Sequence, residues 1–306
     1  MMKHRKACPA CQSPSLELLY KEPFTGSGMV AFLEEHYFGR ASDSAAAETY
    51  ELKTCSDCGL AFQAFIPDDK LLDEVYNAWI PGTDMEKIRR NYTFDEYRYL
   101  AEQVQFVIQH LGHPPGEIEA LDVGFGWAHW ARMAMGYGIN VSGVELSNER
   151  REYGKSVGIK LQELGALPSR AYHFIHTEQV FEHLGEPRGV LEELVKALAP
   201  GGLLKISVPD AAATLRTLAR GRKFGELSEE EQMPIIPLEH LNCFTHASLA
   251  AFGKLAGLRA IRPSFKKLYN SASGALEPKH MLRVIARPFY RHLYPRNTFV
   301  YFERAA

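Results

Sequence analysis

A short apolar run that ends in two closely spaced glycines constrains the fold of this chain more than any other feature. It spans residues 121–127 (Leu-Asp-Val-Gly-Phe-Gly-Trp) and precedes a stretch of helical character. Glycines allow the backbone to approach a ligand closely, and the start of a helix presents N–H groups without intrahelical partners. We therefore predict a buried strand, a tight turn and a helix, in that order.

Short apolar segments alternate with amphipathic segments on either side of this turn. Strands are predicted at 118–123, 141–146, 159–163, 172–177, 203–208, 260–268 and 297–304, and helices at 127–137, 148–157, 187–198 and 247–258. Such alternation predicts an α/β fold, with a parallel sheet covered by helices on both faces.

Two acidic residues suggest which ligand the turn would hold. Asp122 lies inside the turn motif, and Glu145 follows Gly124 by 21 residues, where a carboxylate can accept both ribose hydroxyls. A nicotinamide cofactor would require a small residue where His129 stands, and Asp122 would repel its pyrophosphate. The ammonium of S-adenosylmethionine suits an acid-bearing turn better. A turn without any ligand is the remaining alternative, although its two glycines would then weaken the local structure without compensation.

Five segments together resemble the motifs of class I S-adenosylmethionine-dependent methyltransferases. They are residues 121–126, 143–147, 179–184, 198–204 and 239–245, of which the last is similar to a stretch found in one bacterial branch. The resemblance extends over about residues 117–304. It implies a Rossmann-like parallel sheet with an antiparallel C-terminal strand and helices on both faces.

The resemblance also implies a role for individual residues in holding S-adenosylmethionine. Gly124 and Gly126 would pass under its methionine end, which Asp122 would orient, and Glu145 would hold the ribose. The remaining implied contacts are Leu146 packed against adenine, Glu163 near the adenine amino group and Gln179 at the site of methyl transfer. Alternatively, Glu163 is a solvated loop acid and Gln179 a polar strand end.

Four of the five cysteines form two Cys-x-x-Cys pairs near the N-terminus, Cys8 with Cys11 and Cys55 with Cys58. Two such pairs can supply four thiolates to one tetrahedral zinc, and a site closed in this way is structural. In a cytosolic chain the pattern favours a metal over a disulfide. We therefore expect a zinc-ribbon-like N-terminal module, similar to one that some bacterial sugar methyltransferases carry.

Glu239 and His240 are the candidate catalytic residues. Methyl transfer depends mainly on positioning, but a hydroxyl or carbon acceptor also needs a base, which is usually a histidine. The pair lies on a loop after the fifth predicted strand, and ligands of open parallel sheets bind beyond such strand ends. In similar sugar C-methyltransferases a Glu-His pair is linked to catalysis, but Pro237 stands where they have a tyrosine. Alternatively, His240 and Asn242 only anchor the loop.

Composition and charge restrict the partners. The net charge of −2 gives no general attraction to nucleic acid, and no apolar run is long enough for a transmembrane helix. The N-terminus lacks a signal-peptide pattern, so a cytoplasmic location is expected.

Residues 259–306 carry ten Lys and Arg against two Glu. This stretch is either a solvated face or binds an anionic acceptor or, weakly, a membrane surface. Within it, Arg283, Arg287 and Arg291 predict one helix face, which Pro288 would kink or break.

The predicted organisation is a zinc-ribbon-like module (1–75), a helical linker (76–116) and a methyltransferase domain (117–306) with insertions at 210–245 and 270–296. The predicted function is S-adenosylmethionine-dependent methyl transfer to oxygen or carbon of a small molecule. A sugar or another cell-envelope or secondary-metabolite precursor is the expected acceptor. The alternative is a non-catalytic S-adenosylmethionine-binding protein that docks through its zinc module, and a nicotinamide dehydrogenase is the third hypothesis.

Overall fold

The structure, a computed structural model, describes residues 2–39, 49–75, 92–263, 278–293 and 297–304. The chain divides into two compact units, each assembled from separate segments. The first, here the cysteine unit, comprises Met1–Asp84, Phe181–Gly189 and Val208–Leu255. The second, here the glycine-loop unit, comprises Met85–Val180, Val190–Ser207 and Ala256–Ala306.

Strands and helices alternate along much of the described chain. The strands are β1 (Met2–His4), β2 (Leu16–Pro23), β3 (Thr49–Cys55), β4 (Ala61–Gln63), β5 (Phe65–Pro67), β6 (Glu119–Val123), β7 (Asn140–Val144), β8 (Lys160–Leu161), β9 (Tyr172–Glu178), β10 (Leu198–Pro209), β11 (Asn242–Cys243), β12 (Leu258–Ile261) and β13 (Asn297–Arg304). The helices are α1 (Ser27–His36), α2 (Asp69–Glu74), α3 (Phe94–Leu111), α4 (His129–Gly136), α5 (Asn148–Ser156), α6 (Pro187–Ala197), α7 (Ala212–Ala219), α8 (Glu229–Gln232), α9 (His246–Leu255) and α10 (Pro278–Leu293).

The cysteine unit is built on an antiparallel sheet in the order β11-β4-β3-β2, beside a separate β1–β5 pair. Segments that are distant in sequence share its core. Leu52 of β3 belongs to the same buried cluster as Leu215 of α7, and the ring centroids of Tyr50 and Phe224 are 5.8 Å apart. The residues between the two cysteine pairs therefore form one core with the segment at 208–255.

The glycine-loop unit contains a seven-stranded mixed sheet in the order β12-β13-β10-β9-β6-β7-β8. The strands from β10 to β8 in that order pair in parallel, whereas β12 and β13 are antiparallel. The predicted α/β architecture is confirmed at this level, as a mixed sheet with helices. Helix α3 starts at a capping box of Thr93 and Glu96 and ends at Gly112, which has φ of +71°. Its residues at helical spacing, among them Leu100, Val104 and Val107, are buried as their periodicity predicts.

Three elements differ from their predicted form. Strand β8 has two residues where five were predicted. Strand β10 starts at Leu198, before the predicted turn at 200–202, because a register shift between Leu198 and Leu203 accommodates the turn inside the strand. Helix α10 continues through Pro288, so the predicted break does not occur, whereas the alternative of a kink stays a prediction. Residues 270–277 and 294–296 of the predicted insertion at 270–296, and the end of the strand at 260–268, lie outside the described residues.

No helix among the described residues combines the length and the apolar composition that crossing a membrane would require.

Candidate functional site

The glycine loop starts where β6 ends, and its backbone is left-handed at both glycines. Gly124 has φ of +68° and Gly126 has φ of +54°. The amide of Gly124 donates to the carbonyl of Val144 at 2.8 Å, which joins the loop to β7. Ala128, with φ of +58°, then leads into α4. This conformation is uncommon for residues other than glycine, so the loop depends on both glycines.

Substitution of Gly124 should damage the loop more than substitution of Gly126. A Cβ atom at Gly124 would lie 2.5 Å from Cγ2 of Val180, whereas one at Gly126 would meet nothing within 4 Å. Both positions carry the left-handed penalty of ~1–2 kcal/mol, so the difference isolates the steric clash. We expect Gly124→Ala to lower the free energy of unfolding by ~1–3 kcal/mol more than Gly126→Ala. Denaturant unfolding of the two variants measures this difference, and equal losses would contradict it.

The carboxylate of Glu145 follows β7 directly and lies against the glycine loop. Its Oε2 accepts the amide of Gly126 at 2.9 Å, and its Oε1 accepts the amides of Leu146 and Ser147 at 2.8 and 3.0 Å. A carboxylate has about four acceptor positions, so capacity for a further donor remains. Glu145 is buried and links the loop to the start of α5.

The structure brings Glu163 next to Glu145 through Arg151. The guanidinium donates to the carboxylate of Glu163 at 2.5 Å and to the backbone carbonyl of Glu145 at 3.0 Å. The hydrogen bond with Arg151 lowers the pKa of Glu163. Leu146 is 86% exposed, so the described chain leaves its apolar surface uncovered.

Gln179 combines a strained backbone with a buried donor. Its φ is +57°, and its amide donates to the carbonyl of Ser207 at 2.9 Å. The side-chain Nε2 is buried without a hydrogen-bond partner in the described part of the chain, as is the indole Nε1 of Trp127 in the glycine loop. Strain and unsatisfied buried donors concentrate at ligand sites more than in packed cores.

The four N-terminal cysteines lie together in the cysteine unit. Their sulfur atoms are all within 4.8 Å of one another, with 3.5 Å between Cys8 and Cys58 and 3.4 Å between Cys11 and Cys55. All four are free thiols. Four sulfur atoms at ~2.3 Å from a tetrahedral zinc would be ~3.8 Å apart, so the observed arrangement suits that ion. Gly59, with φ of +73°, closes the turn after the second pair.

The segment that carries Glu239 and His240 is fixed by Gln63. The amide Nε2 of Gln63 donates to the carbonyls of Ile236 and His240, both at 2.9 Å. Its Oε1 accepts the amide of Leu238, which has a left-handed φ of +69°. Gln63 therefore holds the backbone of this segment.

Two buried tyrosines add to this support. The hydroxyl of Tyr37 donates to the carbonyl of Pro237, and that of Tyr50 donates to the carbonyl of Ile235, both at 2.6 Å. Sequence reasoning assigned no role to Gln63, Tyr37 or Tyr50, since each contact joins residues far apart in the chain.

Three histidines surround Glu239. Its carboxylate is 2.7 Å from Nε2 of His36, and its backbone carbonyl is 3.0 Å from Nδ1 of His183. The ring centroids of His183 and His240 are 4.8 Å apart. Glu182, His183 and His240 also bring one carboxylate oxygen and two ring nitrogens within 4.8 Å of one another, a second set of potential metal ligands among the described residues.

The imidazole of His240 is neutral over the physiological pH range. Burial and the neighbouring charges of His183 and His36 lower the pKa of His240 to about 3. The ring hydrogen-bonds to the backbone of Met233, and its Nδ1 is buried without a partner among the described residues. A neutral ring with an unused nitrogen can accept a hydrogen bond from a ligand.

Comparisons with known proteins place these residues in context. Residues 90–262 match a family described as a methyltransferase domain, and this match spans more than half of the chain. None of the curated protein sequences matches the chain.

Several solved structures resemble the chain at low identity. One is the plantazolicin methyltransferase BpumL in complex with SAH, with 15% identity, 77% of this chain and 94% of that chain covered, and a TM-score of 0.49. A second is a Burkholderia thailandensis 1,6-didemethyltoxoflavin-N1-methyltransferase with bound 1,6-didemethyltoxoflavin and S-adenosylhomocysteine, with 14% identity, coverage of 82% and 98%, and a TM-score of 0.45.

Proposed function

Because the chain belongs to the methyltransferase-domain family, we propose that it transfers the methyl group of S-adenosylmethionine to an oxygen or carbon atom of a small molecule. The prediction of a methyltransferase enzyme is confirmed by the family match over residues 90–262, which includes the glycine loop. A sugar or another cell-envelope or secondary-metabolite precursor is the proposed acceptor, from the resemblance of residues 239–245 to one bacterial branch.

The observation that carries the proposal is the hydrogen-bonded assembly of the glycine loop and Glu145. In the proposed complex Glu145 binds the ribose, Asp122 faces the ammonium, and the left-handed glycines allow close approach. The side-chain Nε2 of Gln179, which has no hydrogen-bond partner among the described residues, fits a polar ligand in the same unit. Leu146 would cover adenine with its exposed side chain, whereas Glu163 would first have to release Arg151. The cofactor, when bound, supplies an electrophilic methyl group on its sulfonium.

Replacement of Glu145 tests the cofactor. We expect Glu145→Gln to weaken S-adenosylmethionine binding by ~1–3 kcal/mol, because ribose hydroxyls would lose a charged acceptor. Isothermal calorimetry measures the change, with Glu152→Gln as the control, since Glu152 pairs with Lys155 on the exposed face of α5. Binding of NAD without binding of S-adenosylmethionine would overturn the cofactor assignment.

We further propose that His240 receives a hydrogen bond or a proton from the methyl acceptor. The neutral ring and its unused Nδ1 support this role. Glu239 would contribute by fixing the neighbouring histidines, because its carboxylate contacts His36 and its carbonyl contacts His183.

An acceptor panel separates the enzyme from the non-catalytic alternative. Formation of S-adenosylhomocysteine is measured with nucleotide-linked sugars, free sugars and small phenols. Turnover of any panel member supports the enzyme, whereas tight S-adenosylmethionine binding without turnover of any acceptor supports a binding protein.

The remaining proposals concern the N-terminal module and its surroundings. We propose one structural zinc on Cys8, Cys11, Cys55 and Cys58, supported by their sulfur separations. The division at residues 75 and 116 stays a prediction, and residues 76–91 lie outside the described residues. A cytoplasmic location also stays a prediction.

Contact of the basic C-terminal stretch with an anionic acceptor or a membrane surface is likewise a proposal. Helix α10 exposes Leu282, Ile285 and Phe289. Nη1 of Arg287 on the same helix lies 3.7 Å from Oε1 of Glu102. Arg283 and Arg291, which would complete the basic face, have side chains outside the described residues.

A further inference from the structure

Three titratable side chains form a row across the sheet of the glycine-loop unit. Asp122 on β6 is the register partner of His176 on β9, and His176 is the register partner of Lys205 on β10. Residues in register on neighbouring strands direct their side chains to the same face, and all three are buried here. Nδ1 of His176 is 2.8 Å from Oδ1 of Asp122, and Nε2 of His176 is 3.4 Å from Nζ of Lys205.

The direction of the hydrogen bond to Asp122 follows from the carboxylate. An ionised carboxylate only accepts hydrogen bonds, so Nδ1 of His176 carries a proton and donates it to Oδ1 of Asp122. Nε2 of His176 lies 3.4 Å from Nζ of Lys205 and 3.3 Å from Oε2 of Glu178. Nζ of Lys205 also donates to Oε1 of Gln103 and, at 3.2 Å, to Oε2 of Glu178.

The plane of the His176 ring is also restrained. Trp130 stacks on it with 4.5 Å between ring centroids and an angle of 13° between the planes. With its plane held by Trp130, His176 presents its Nδ1–H to one oxygen of Asp122. The other carboxylate oxygen keeps its capacity for a ligand.

The cation of the row has an anionic partner other than Asp122. Lys205 forms an ion pair with Glu178 at 3.2 Å. Burial alone would raise the pKa of Glu178, but the charge of Lys205 and the contact with His176 outweigh it and hold that pKa below its usual range. A ligand cation would stabilise the buried carboxylate of Asp122.

We propose that His176 is a positioning residue for the cofactor, which fixes the orientation of the Asp122 carboxylate that binds the cofactor's ammonium. The inference rests on the proposed function, because it requires S-adenosylmethionine at the glycine loop. It deepens that function by assigning a role to His176 on β9, the strand that pairs with β6.

Two conservative variants separate the two ring nitrogens. In His176→Asn the side-chain amide replaces Nδ1 and can still donate to Asp122. In His176→Gln the amide reaches the position of Nε2 and faces Lys205 instead. Both introduced side chains are polar and similar in size, so the two substitutions should change the stability of the fold to the same extent. Thermal melting of the full-length proteins verifies this.

Three probes separate the two ends of the cofactor. S-adenosylmethionine and S-adenosylhomocysteine carry the ammonium, whereas 5′-methylthioadenosine keeps the adenosine and the thioether but lacks the amino-acid end. We expect His176→Gln to weaken binding of the first two by ~10-fold or more in calorimetry and that of 5′-methylthioadenosine by less than ~3-fold. His176→Asn should stay within ~3-fold of the unmodified protein for all three probes.

A matched control tests simple loss of packing on the same strand. Phe174 is buried on the same face of β9, two residues from His176, and contacts Trp130 with 5.3 Å between ring centroids. Phe174→Leu should lower the melting temperature, and any change in binding affinity should be the same for all three probes. Equal weakening of all three probes in His176→Gln, unchanged affinities in it, or equal behaviour of the Asn and Gln variants would each overturn the positioning role.

Binding of the probes to the unmodified protein distinguishes failure of the proposed function from failure of the positioning role alone. If this protein binds none of the three probes, the proposed function fails and the inference fails with it. If it binds them and His176→Gln does not discriminate among them, only the inference fails.

Discussion

Serine substitution of Cys8 and Cys58 is expected to abolish zinc binding and to unfold a large part of the cysteine unit. The two changes remove half of the proposed ligand set, and both residues lie in the four-sulfur cluster. A structural zinc contributes ~10–16 kcal/mol of binding energy in small zinc domains, comparable with the whole stability of a domain. We therefore expect the zinc content to fall from one equivalent to near zero and the melting temperature to fall by ~10 °C or more.

The damage should reach the segment that carries His240. Cys55 is the last residue of β3, β4 pairs with β3, and Gln63 at the end of β4 holds the backbone of Ile236 and His240. Hydrogen exchange should therefore accelerate in β3, in β4 and at residues 236–243, whereas β6 and β9 of the other unit stay protected.

The fifth cysteine provides the control for this experiment. Cys243 is buried and lies outside the metal cluster, so Cys243→Ala should keep a full equivalent of zinc. Unmodified protein that is expressed with ample zinc and still holds well under one equivalent would contradict the proposed site. Unchanged exchange in the double serine variant would contradict its structural role.

Local patterns predicted the part of the fold that local physics determines. The apolar run of β6, the two glycines and the start of α4 are neighbours in sequence, so their order could be read directly. The two Cys-x-x-Cys pairs lie far apart in sequence, but each pair has the spacing of a zinc site, so the pattern could assign all four thiols to one cluster.

Contacts between distant segments were not predictable in this way. Tyr37 and Pro237 are 200 residues apart, and the pattern around neither of them indicates the other. The row from Asp122 to Lys205 requires the strand order and the register, and sequence alone specified neither. His176 lies in none of the five motif segments, although the strand that contains it was predicted. Helix α10 includes Pro288, which shows that a proline by itself does not set a helix boundary.

Removal of the His240 side chain is expected to lower turnover by ~10²–10⁴-fold, the range that general bases contribute. His240→Ala leaves the backbone hydrogen bonds from Gln63 in place, so the loop should keep its position. S-adenosylmethionine affinity should be unchanged, because the proposed cofactor residues belong to the other unit. Turnover at saturating acceptor, calorimetry with the cofactor and a melting curve together measure these effects.

Gln63→Leu is the matched control, since it removes the loop's support and keeps the imidazole. It should lower the melting temperature and raise the KM for the acceptor, with a smaller effect on kcat than His240→Ala. If both variants lose kcat equally, the loss of turnover comes from the position of the loop and not from the imidazole ring. A fully active His240→Ala enzyme would exclude a catalytic role, and the search for a base would turn to His183, Tyr92 and Tyr76, of which Tyr76 lies outside the described residues.

The pH dependence of stability tests the neutral state on which this role depends. The pKa of His240 is about 3 in the folded protein, mainly through burial, against ~6.5 in the unfolded chain. Between these values the unfolded chain holds a proton that the folded protein lacks, so stability should fall as the pH is lowered from 6.5 towards 3. Burial also lowers the pKa of His183, which adds to the loss with the same sign.

His240→Ala should therefore show a weaker loss of stability over that window than the unmodified protein, and kcat should not follow a histidine titration near pH 6.5. A kcat profile that loses activity below pH ~6.5 in the unmodified protein but not in His240→Ala would mean that the working imidazole titrates normally, and the neutral acceptor role would be wrong.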